Sequence, residues 1–489
     1  MENDLIKERK NKLKELQDKQ INPYPRQFSK KKQDIKDILK KHEGLKPQEK
    51  TEEKVSVAGR IILFRKMGKA AFMTIKDNFN QIQLYLREDD TKNYPLLKQF
   101  DLGDFIGATG KIFATKTGEV TVYVEEFEML SKSIRPLPDK HKGLQDTELK
   151  YRKRYLDLIM NPESSEVFTK RLKMMQYIRE FLNKQGYLEV ETPILQPIYG
   201  GGSAKPFITH HNELKMDLYL RISPELYLKR LIIGGYEGVY DINKNFRNEG
   251  IDTTHNPEFT MIEIYRTYTD YNDMMKLMED MYEYVFKKVL GTTKVTYKGK
   301  EIDVKAPWKR VKMLDSIKEH AKIDAANMST EELHAFVKEK NIPFDKELKW
   351  GNLVLEIFEA MCEDKYEQPT FIIDHPIEST ALCKTHPDDP RLIERFEPFA
   401  LGMELGNAYT ELNDPILQRE LLEDQARQLR EGLDDEANPM DEDFLQAIEH
   451  GMPPTGGLGI GLDRMAMLLT GKDSIRDVIF FPTMKPQND

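Results

Sequence analysis

Cysteine is scarce: two in 489 residues, Cys362 and Cys383, with no C-x-x-C pair. That rules out a disulfide framework or a cysteine zinc site as the organising element. There is no H-E-x-x-H, and the adjacent His210 and His211 are poorly spaced to ligate one metal. Long apolar runs are missing as well. No eighteen consecutive apolar residues occur, which excludes a transmembrane helix of the usual kind. The opening MENDLIKERKNKLKELQDKQ is charged throughout and holds no apolar leader segment, so a cytoplasmic protein is expected. Neither G-x-x-x-x-G-K-[ST] nor G-x-G-x-x-G is present, so two common nucleotide-binding loops are absent.

What is present is charge: 32% of residues are charged and 39% hydrophobic, in a chain long enough for about two to four domains. The net charge of −9 is uneven, since residues 1–54 carry 16 Lys and Arg against 11 Asp and Glu. A basic start on an acidic body fits either a polyanionic partner or a solvated basic helix.

The organisation follows from periodicity. Residues 5–20 read as a Lys-rich helix stopped by Pro23 and Pro25, and a second helix is expected over 33–41. From 55 to 130 the pattern is β, with VSVAGRIIL, AAFMTI, QIQLYL, FIGATGKIFAT and EVTVYVEEF as strands and TKTGE as a hairpin turn. Five short strands predict a small closed barrel of the oligonucleotide-binding (OB) type, or another small barrel without a ligand. IRPLPDKHKGLQD reads as linker. Phe168, Leu172, Met175, Ile178, Phe181 and Leu182 then recur at helical spacing up to Gly186. KVTYKGKEIDV (294–304) is a hairpin, STEELHAFVKEKN (329–341) a capped helix, and DDEANPMDED (434–443) a solvated acidic face. The expected divisions are a basic helical extension (1–54), the barrel (55–135), a linker (136–160) and one large α+β domain (161–489).

Chemistry concentrates in that last domain. In GVYDINKNFRNEG (238–250), Tyr240, Ile242 and Phe246 share one strand face; Asp241, Asn243, Asn245 and Arg247 share the other. In FTMIEIYRTY, Ile262 and Ile264 oppose Phe259, Met261, Glu263 and Tyr265. An Arg, Glu, Tyr and Phe face suits a charged, planar ligand better than it suits water. In FALGMELGNAYTELND (399–414), Asn407, Tyr409 and Glu411 share a face. Glu404 has the opposite parity, and flanking Gly402 and Gly406 would permit a bulge that re-aims it. TGGLGIGLDRMAMLLTG (455–471) reads as strand, glycines and helix, with Arg464 on the first helical turn.

Together these segments resemble a class II aminoacyl-tRNA synthetase, and within that class the lysyl-tRNA synthetases. GYLEVETPIL resembles motif 1, FRNEGIDTTHNPEFTMIEIY motif 2 and GLGIGLDRMAMLLTG motif 3. KLKELQDKQINPYPRQF and VAGRIILFRKMGKAAFMTIKD are similar to the family's N-terminal helix and anticodon barrel. GGGSAKPFITHHNELKMDLYLRISPELYLKRL and ELGNAYTELND resemble its lysine signatures. One stretch departs: HPIESTALCKTH (375–386) stands where many bacterial relatives carry Ser-Pro-Leu, and no residue there is assigned.

The resemblance implies an OB-type five-stranded barrel followed by an antiparallel sheet flanked by helices, and a cytoplasmic homodimer joined through motif 1. It implies ATP-dependent activation of L-lysine and transfer to tRNA(Lys), with Mg²⁺ as cofactor. Arg247 and Arg464 would be catalytic, on the α- and γ-phosphates. Glu249, His255, Asn256, Phe259 and Glu404 would join them around ATP, and Glu397 and Glu404 would hold the metal. Gly202, Glu225, Glu263, Tyr265, Asn407, Tyr409 and Glu411 would bind lysine, Glu225 at the α-ammonium and Glu411 at the ε-ammonium. Arg60, Phe72 and Glu126 would read the anticodon. The rivals are an aspartyl or asparaginyl enzyme, which would need a side-chain cation; a ligase placing lysine on a protein, whose relatives lack the barrel; and a non-catalytic nucleic-acid binder.

Overall fold

The computed structural model describes residues 4–78, 80–138, 144–343, 348–432 and 437–487. The chain divides into two compact units, Met1–Ser165 and Glu166–Asp489.

In the first unit, helices α1 (Asp4–Asp18) and α2 (Ile35–Lys41) precede five strands. These are β1 (Lys50–Met67), β2 (Ala70–Asp77), β3 (Asn80–Arg87), β4 (Phe105–Ala114) and β5 (Val120–Ser131). They close a barrel in the order β1-β2-β3-β5-β4, with β4 returning to β1. The predicted alternation is what fills it: Val55, Val57, Ile61, Ile75, Leu84 and Val122 are at most 1% exposed. Closure leaves no unpaired strand edge.

Within the expected linker 136–160, residues 139–143 lie outside the described ones, and two short helices follow: α3 (Thr147–Arg152) and α4 (Arg154–Met160). Arg154 and Asp157 form an ion pair at 2.7 Å with side chains 2% and 0% exposed. Charge that composition reads as solvated is here neutralised and buried.

The second unit is built on a sheet with the order β14-β15-β16-β18-β19-β11-β10-β6 and β17 attached to β16. In chain order its elements begin with α5 (Pro162–Lys184), β6 (Leu188–Glu189), β7 (Leu195–Gln196), β8 (Ile208–His211), β9 (Met216–Leu220), α6 (Glu225–Ile233), β10 (Gly238–Phe246) and β11 (Glu258–Thr267). Then come α7 (Tyr271–Leu290), the hairpin β12 (Lys294–Tyr297) and β13 (Lys300–Asp303), β14 (Lys309–Lys312), α8 (Met313–His320), α9 (Thr330–Glu339) and α10 (Trp350–Met361). The remainder is β15 (Thr370–Pro376), β16 (Leu392–Ala400), β17 (Met403–Glu404), β18 (Gly406–Thr410), α11 (Pro415–Glu431), α12 (Glu442–Glu449), β19 (Thr455–Gly461), α13 (Leu462–Thr470) and α14 (Ile475–Val478). Neighbouring strands of the large sheet are antiparallel except β14–β15 and β10–β6. Ser329 and Glu332 form the capping box expected at the start of α9.

One face of the central strands is apolar. Ile262, Ile264, Leu458 and Ile460 pack with Met278, Tyr282 and Phe286 of α7 and Met465 of α13. The β11 parity therefore stands. On β10 the polar face is not solvated: Asp241, Asn243 and Asn245 are buried together with Tyr240. Asp241 accepts from Thr192 Oγ1 at 2.7 Å and pairs with Arg221 at 3.4 Å. The predicted stripe of α5 is partly corrected. Phe168, Ile178 and Leu182 are buried, Met175 and Phe181 are half-buried with Met174 buried beside them, and Leu172 is 59% exposed. The acidic run at 434–443 begins outside the described residues; Glu442 and Asp443 at its end are exposed as expected, while Asp441 is buried. Asp441 caps α12 and pairs with Arg230 at 2.9 Å.

Candidate active site

Two adjoining cavities open on the polar face of the central strands. The first is lined by Arg247, Glu249, His255, Asn256, Phe259, Glu404 and Arg464, all seven of the residues expected around ATP. The Arg247 guanidinium lies 5.3 Å from the Phe259 ring centroid. Arg464 donates to the main-chain oxygen of Glu404 at 2.9 Å and to its Oε2 at 3.1 Å. Arg171 of α5 pairs with Asp463 at 2.5 Å, and Asp463 Oδ2 accepts from the Thr260 amide at 2.6 Å. That pair anchors the first turn of α13, which carries Arg464.

The second cavity is lined by Gly202, Glu225, Glu263, Tyr265, Asn407 and Tyr409, with Glu397 and Glu404 on its wall. Arg247, Met261, Glu404, Asn407 and Gly459 line both cavities, so the two share a wall. Glu404 reaches it through a bulge. Phe399 faces Glu404 and Phe396 faces Ala408, which sets four steps of one strand against three of the other. The extra residue moves Glu404 to the face of Asn407. Gly406 permits the close approach of β18 to β19, because a Cβ there would lie 2.3 Å from the Gly459 carbonyl oxygen.

Glu411 is placed differently from the other expected lysine contacts. It does not line the cavity. It sits behind Gly457, where a Cβ would lie 1.9 Å from Glu411 Oε1. Its Oε2 pairs with Lys229 Nζ at 2.5 Å, and the same ammonium donates to Glu225 Oε1 at 2.7 Å. Among the described residues the buried Glu411 Oε1 has no hydrogen-bond donor. Glu225 Oε2 accepts from Tyr409 at 3.2 Å; Glu263 accepts from Ser223 at 2.7 Å and Tyr265 at 3.2 Å.

The electrostatics follow from crowding. Burial and the charge of Glu225 raise the Glu263 carboxyl to about 8. Burial raises Glu411 to about 8 although Lys229 opposes the shift. Burial alone would lower the Lys229 ammonium; its two carboxylates outweigh that and raise it. Beside the metal candidates, Arg395 pairs with Glu397 at 2.5 Å. Burial and neighbouring carboxylates, Glu359 first, raise Glu363 to about 7. Among the described residues no three acidic, His or Cys side chains are arranged to hold a metal. Two carboxylates fit Mg²⁺ when phosphate oxygens supply further ligands.

In the barrel, Phe72 lies outside the core, its ring 4.8 Å from Tyr85. Arg60 stacks over Phe105 at 4.3 Å and donates to the Gly103 carbonyl at 2.9 Å. Glu126 pairs with Lys30 at 3.0 Å. The three lie on different strands, and among the described residues the cavity lined by Arg60, Lys76 and Phe105 includes neither Phe72 nor Glu126.

Residues 146–485 match the family of class II tRNA synthetases (D, K and N), and residues 55–130 the OB-fold nucleic acid binding domain. A lysine–tRNA ligase of Clostridium botulinum is 52% identical, covering 99% of this chain and 96% of that protein. Those of Clostridium novyi (52%; 99% and 95%) and Pelotomaculum thermopropionicum (51%; 99% and 96%) are similar to the same extent. The chain belongs to the class II lysine–tRNA ligases. Set in that ligase fold, several residues escaped the sequence reading. Ser379 and Thr380, in the divergent stretch, line the second cavity together with Arg395 and Ser223. Lys229, Arg171 and Asp463 act behind the walls. Arg171 and Asp463 lie almost 300 positions apart, and Lys229 in ELYLKRL looks like a surface i,i+4 partner of Glu225.

Proposed function

We propose that the protein activates L-lysine with ATP and transfers the lysyl group to the 3′ end of tRNA(Lys). The observation that carries this is charge. Glu225, Glu263 and Glu411 are at most 4% exposed, and one equally buried cation, Lys229, sits among them. With all three carboxylates ionised, the surplus is two negative charges, matching the α- and ε-ammonium groups of lysine. Buried charge without a partner is costly, so the cluster resists full ionisation, and a ligand bearing two ammonium groups relieves it. An aspartate or asparagine pocket would need a free cation. Both Lys229 and Arg395 are already tied to carboxylates.

In the first step an oxygen of the lysine carboxylate attacks the α-phosphorus of ATP, the bond to the bridging oxygen breaks and pyrophosphate leaves. The carboxylate is already ionised at neutral pH, so no general base is needed, and catalysis rests on positioning and charge. Arg247, on the wall common to both cavities, bridges the α-phosphate and the lysine carboxylate. Phe259 stacks on adenine, with Glu249, His255 and Asn256 around the nucleotide, and Arg464 holds the γ-phosphate. Glu397 and Glu404 would hold Mg²⁺, which supplies charge neutralisation on the phosphates. Glu225 takes the α-ammonium; Gly202, Glu263, Tyr265, Asn407 and Tyr409 line the pocket; Glu411 Oε1 takes the ε-ammonium. In the second step a terminal ribose hydroxyl attacks the lysyl carbonyl and AMP leaves. Arg60, Phe72 and Glu126 contact the anticodon.

We further infer a homodimer working in the cytoplasm. Leu172 on the helix before the motif 1 segment, and Leu188, Ile194, Leu195 and Ile208 in and after it, are each at least 44% exposed, an unusual apolar surface for a monomer. Both cysteines are free thiols, the state a reducing compartment preserves. Among the described residues no helix is long and apolar enough to cross a membrane. Pyrophosphate exchange with each of the twenty amino acids tests the substrate reading, which fails if aspartate or asparagine supports exchange and lysine does not. Sedimentation tests the dimer.

A further inference from the structure

Lys229 has no part in the reaction as set out above, yet it is the most deeply buried cation in the second unit's polar core. Its side chain is 0% exposed, and its ammonium lies 2.7 Å from Glu225 Oε1 and 2.5 Å from Glu411 Oε2. The geometry of the two pairs is selective: each carboxylate gives Lys229 one oxygen and keeps the other. Glu225 Oε2 is turned to Tyr409, which lines the second cavity; Glu411 Oε1 is left without a donor behind Gly457. A surface i,i+4 pair would cap Glu225 alone, whereas this lysine also reaches a strand far away in sequence.

We propose that Lys229 is a specificity-determining positioning residue: a built-in counter-ion that orients Glu225 and Glu411 and sets the pocket's fixed charge to match a doubly cationic amino acid. The inference rests on the lysine reading of the second cavity. Lys229 acts through the two carboxylates and does not touch substrate. Without it three buried carboxylates share no cation, so Glu411 loses the attraction that opposes its upward shift and needs a still higher pH to supply the charge that lysine needs. The groups facing this cluster are Glu225 on α6; Glu263 and Tyr265 on β11; Tyr409 and Glu411 at the end of β18; Cys383 and Arg395 beside Glu411; and the Phe444 ring of α12, 6.0 Å from Nζ. Of these, Glu263 and Glu411 are the carboxyls that burial raises to about 8, within the range where lysine binding would report a change of charge.

The test is lysine- and ATP-dependent pyrophosphate exchange by the full-length protein and Lys229→Met between pH 6 and 9. The proposal expects the lysine KM to rise at least tenfold at pH 7, with the ATP KM within twofold. It also expects the acid limb of kcat/KM for lysine to move about one pH unit upward. A purely structural lysine would not shift that limb. If Lys229→Met is folded and both the lysine KM and the limb are unchanged, the proposal is overturned. Should that variant not fold, Glu411→Gln is compared with the double variant Lys229→Met, Glu411→Gln, which removes one charge of each sign. A further rise of at least threefold in lysine KM, through the lost hold on Glu225, supports the proposal, and an unchanged lysine KM overturns it. If the unaltered protein shows no lysine-dependent exchange, the substrate reading itself falls and this inference with it; exchange in the unaltered protein with an indifferent Lys229 sinks only the inference.

Discussion

Arg464 and Glu404 hold each other in the wall of the first cavity, the guanidinium donating to both the main-chain oxygen and Oε2 of Glu404 at 2.9 and 3.1 Å. Its other terminal nitrogen meets His255 Nε2 at 3.2 Å, and His255 Nδ1 faces Asp252 Oδ2 at 2.8 Å. With Nδ1–H donated to Asp252, His255 accepts from Arg464 through Nε2. The guanidinium is therefore held in one orientation by Glu404 and His255.

Arg464→Lys keeps the charge and loses the fork. Loss of one preorganised donor lowers a rate by about 10²–10³, so exchange should fall by that order with the lysine KM little changed. A full-rate Arg464→Lys would show that the fork is not used.

Arg247 stands where both cavities meet. Arg247→Ala should lower adenylate formation by several orders of magnitude with the fold intact, since one oriented charge donor contributes about 3–4 kcal/mol. Near-normal pyrophosphate exchange would refute its role.

For Glu411, the amide of Glu411→Gln keeps the shape and removes the charge. The lysine KM should rise strongly and the ATP KM little. A lysine KM within about twofold, only about 0.4 kcal/mol, would pass the ε-ammonium to Glu263, the other buried carboxylate held near 8.

Proton linkage gives a sign. Burial raises the Glu263 and Glu411 carboxyls to about 8, and bound ammonium favours their ionised forms. Below pH 8, lysine must displace protons, so its KM should fall as pH rises from 6 to 8, by up to about tenfold per unit for each proton released. The same raised values mean that the ligand-free protein loses stability as pH rises through 8. The increase in Tm caused by lysine should thus be larger at pH 8.5 than at 6.5. Equal Tm shifts would place the protons elsewhere.

Phe72 offers a stacking surface outside the barrel core. A stacked base contributes about 1–3 kcal/mol. Phe72→Ala should reduce tRNA charging efficiency by roughly tenfold or more and leave pyrophosphate exchange unchanged. Undiminished charging would remove it from the anticodon site.

Much of the site was readable because strands alternate. Ile262 and Ile264 had to face a core, which left Phe259, Met261, Glu263 and Tyr265 on the face where the cavities lie. The glycines around Glu404 pointed to its bulge. Periodicity misread Leu172, whose helical stripe is apolar on a face that this chain alone does not cover. Within the stretch drawn as linker, no pattern announced that Arg154 and Asp157 bury their charge against each other.

The amino-acid sequence by itself determined the order of elements, the barrel, and which residue types share a strand face, because these depend on neighbours a few positions apart. Only the tertiary structure decided which charges meet. It set Lys229 between Glu225 and Glu411, withdrew Glu411 behind Gly457, and tied Arg171 to Asp463. Ion pairing depends on distances of a few ångströms between segments separated by hundreds of residues, and no local pattern records them. The same pairing leaves Glu411 Oε1 without a donor at the back of the pocket.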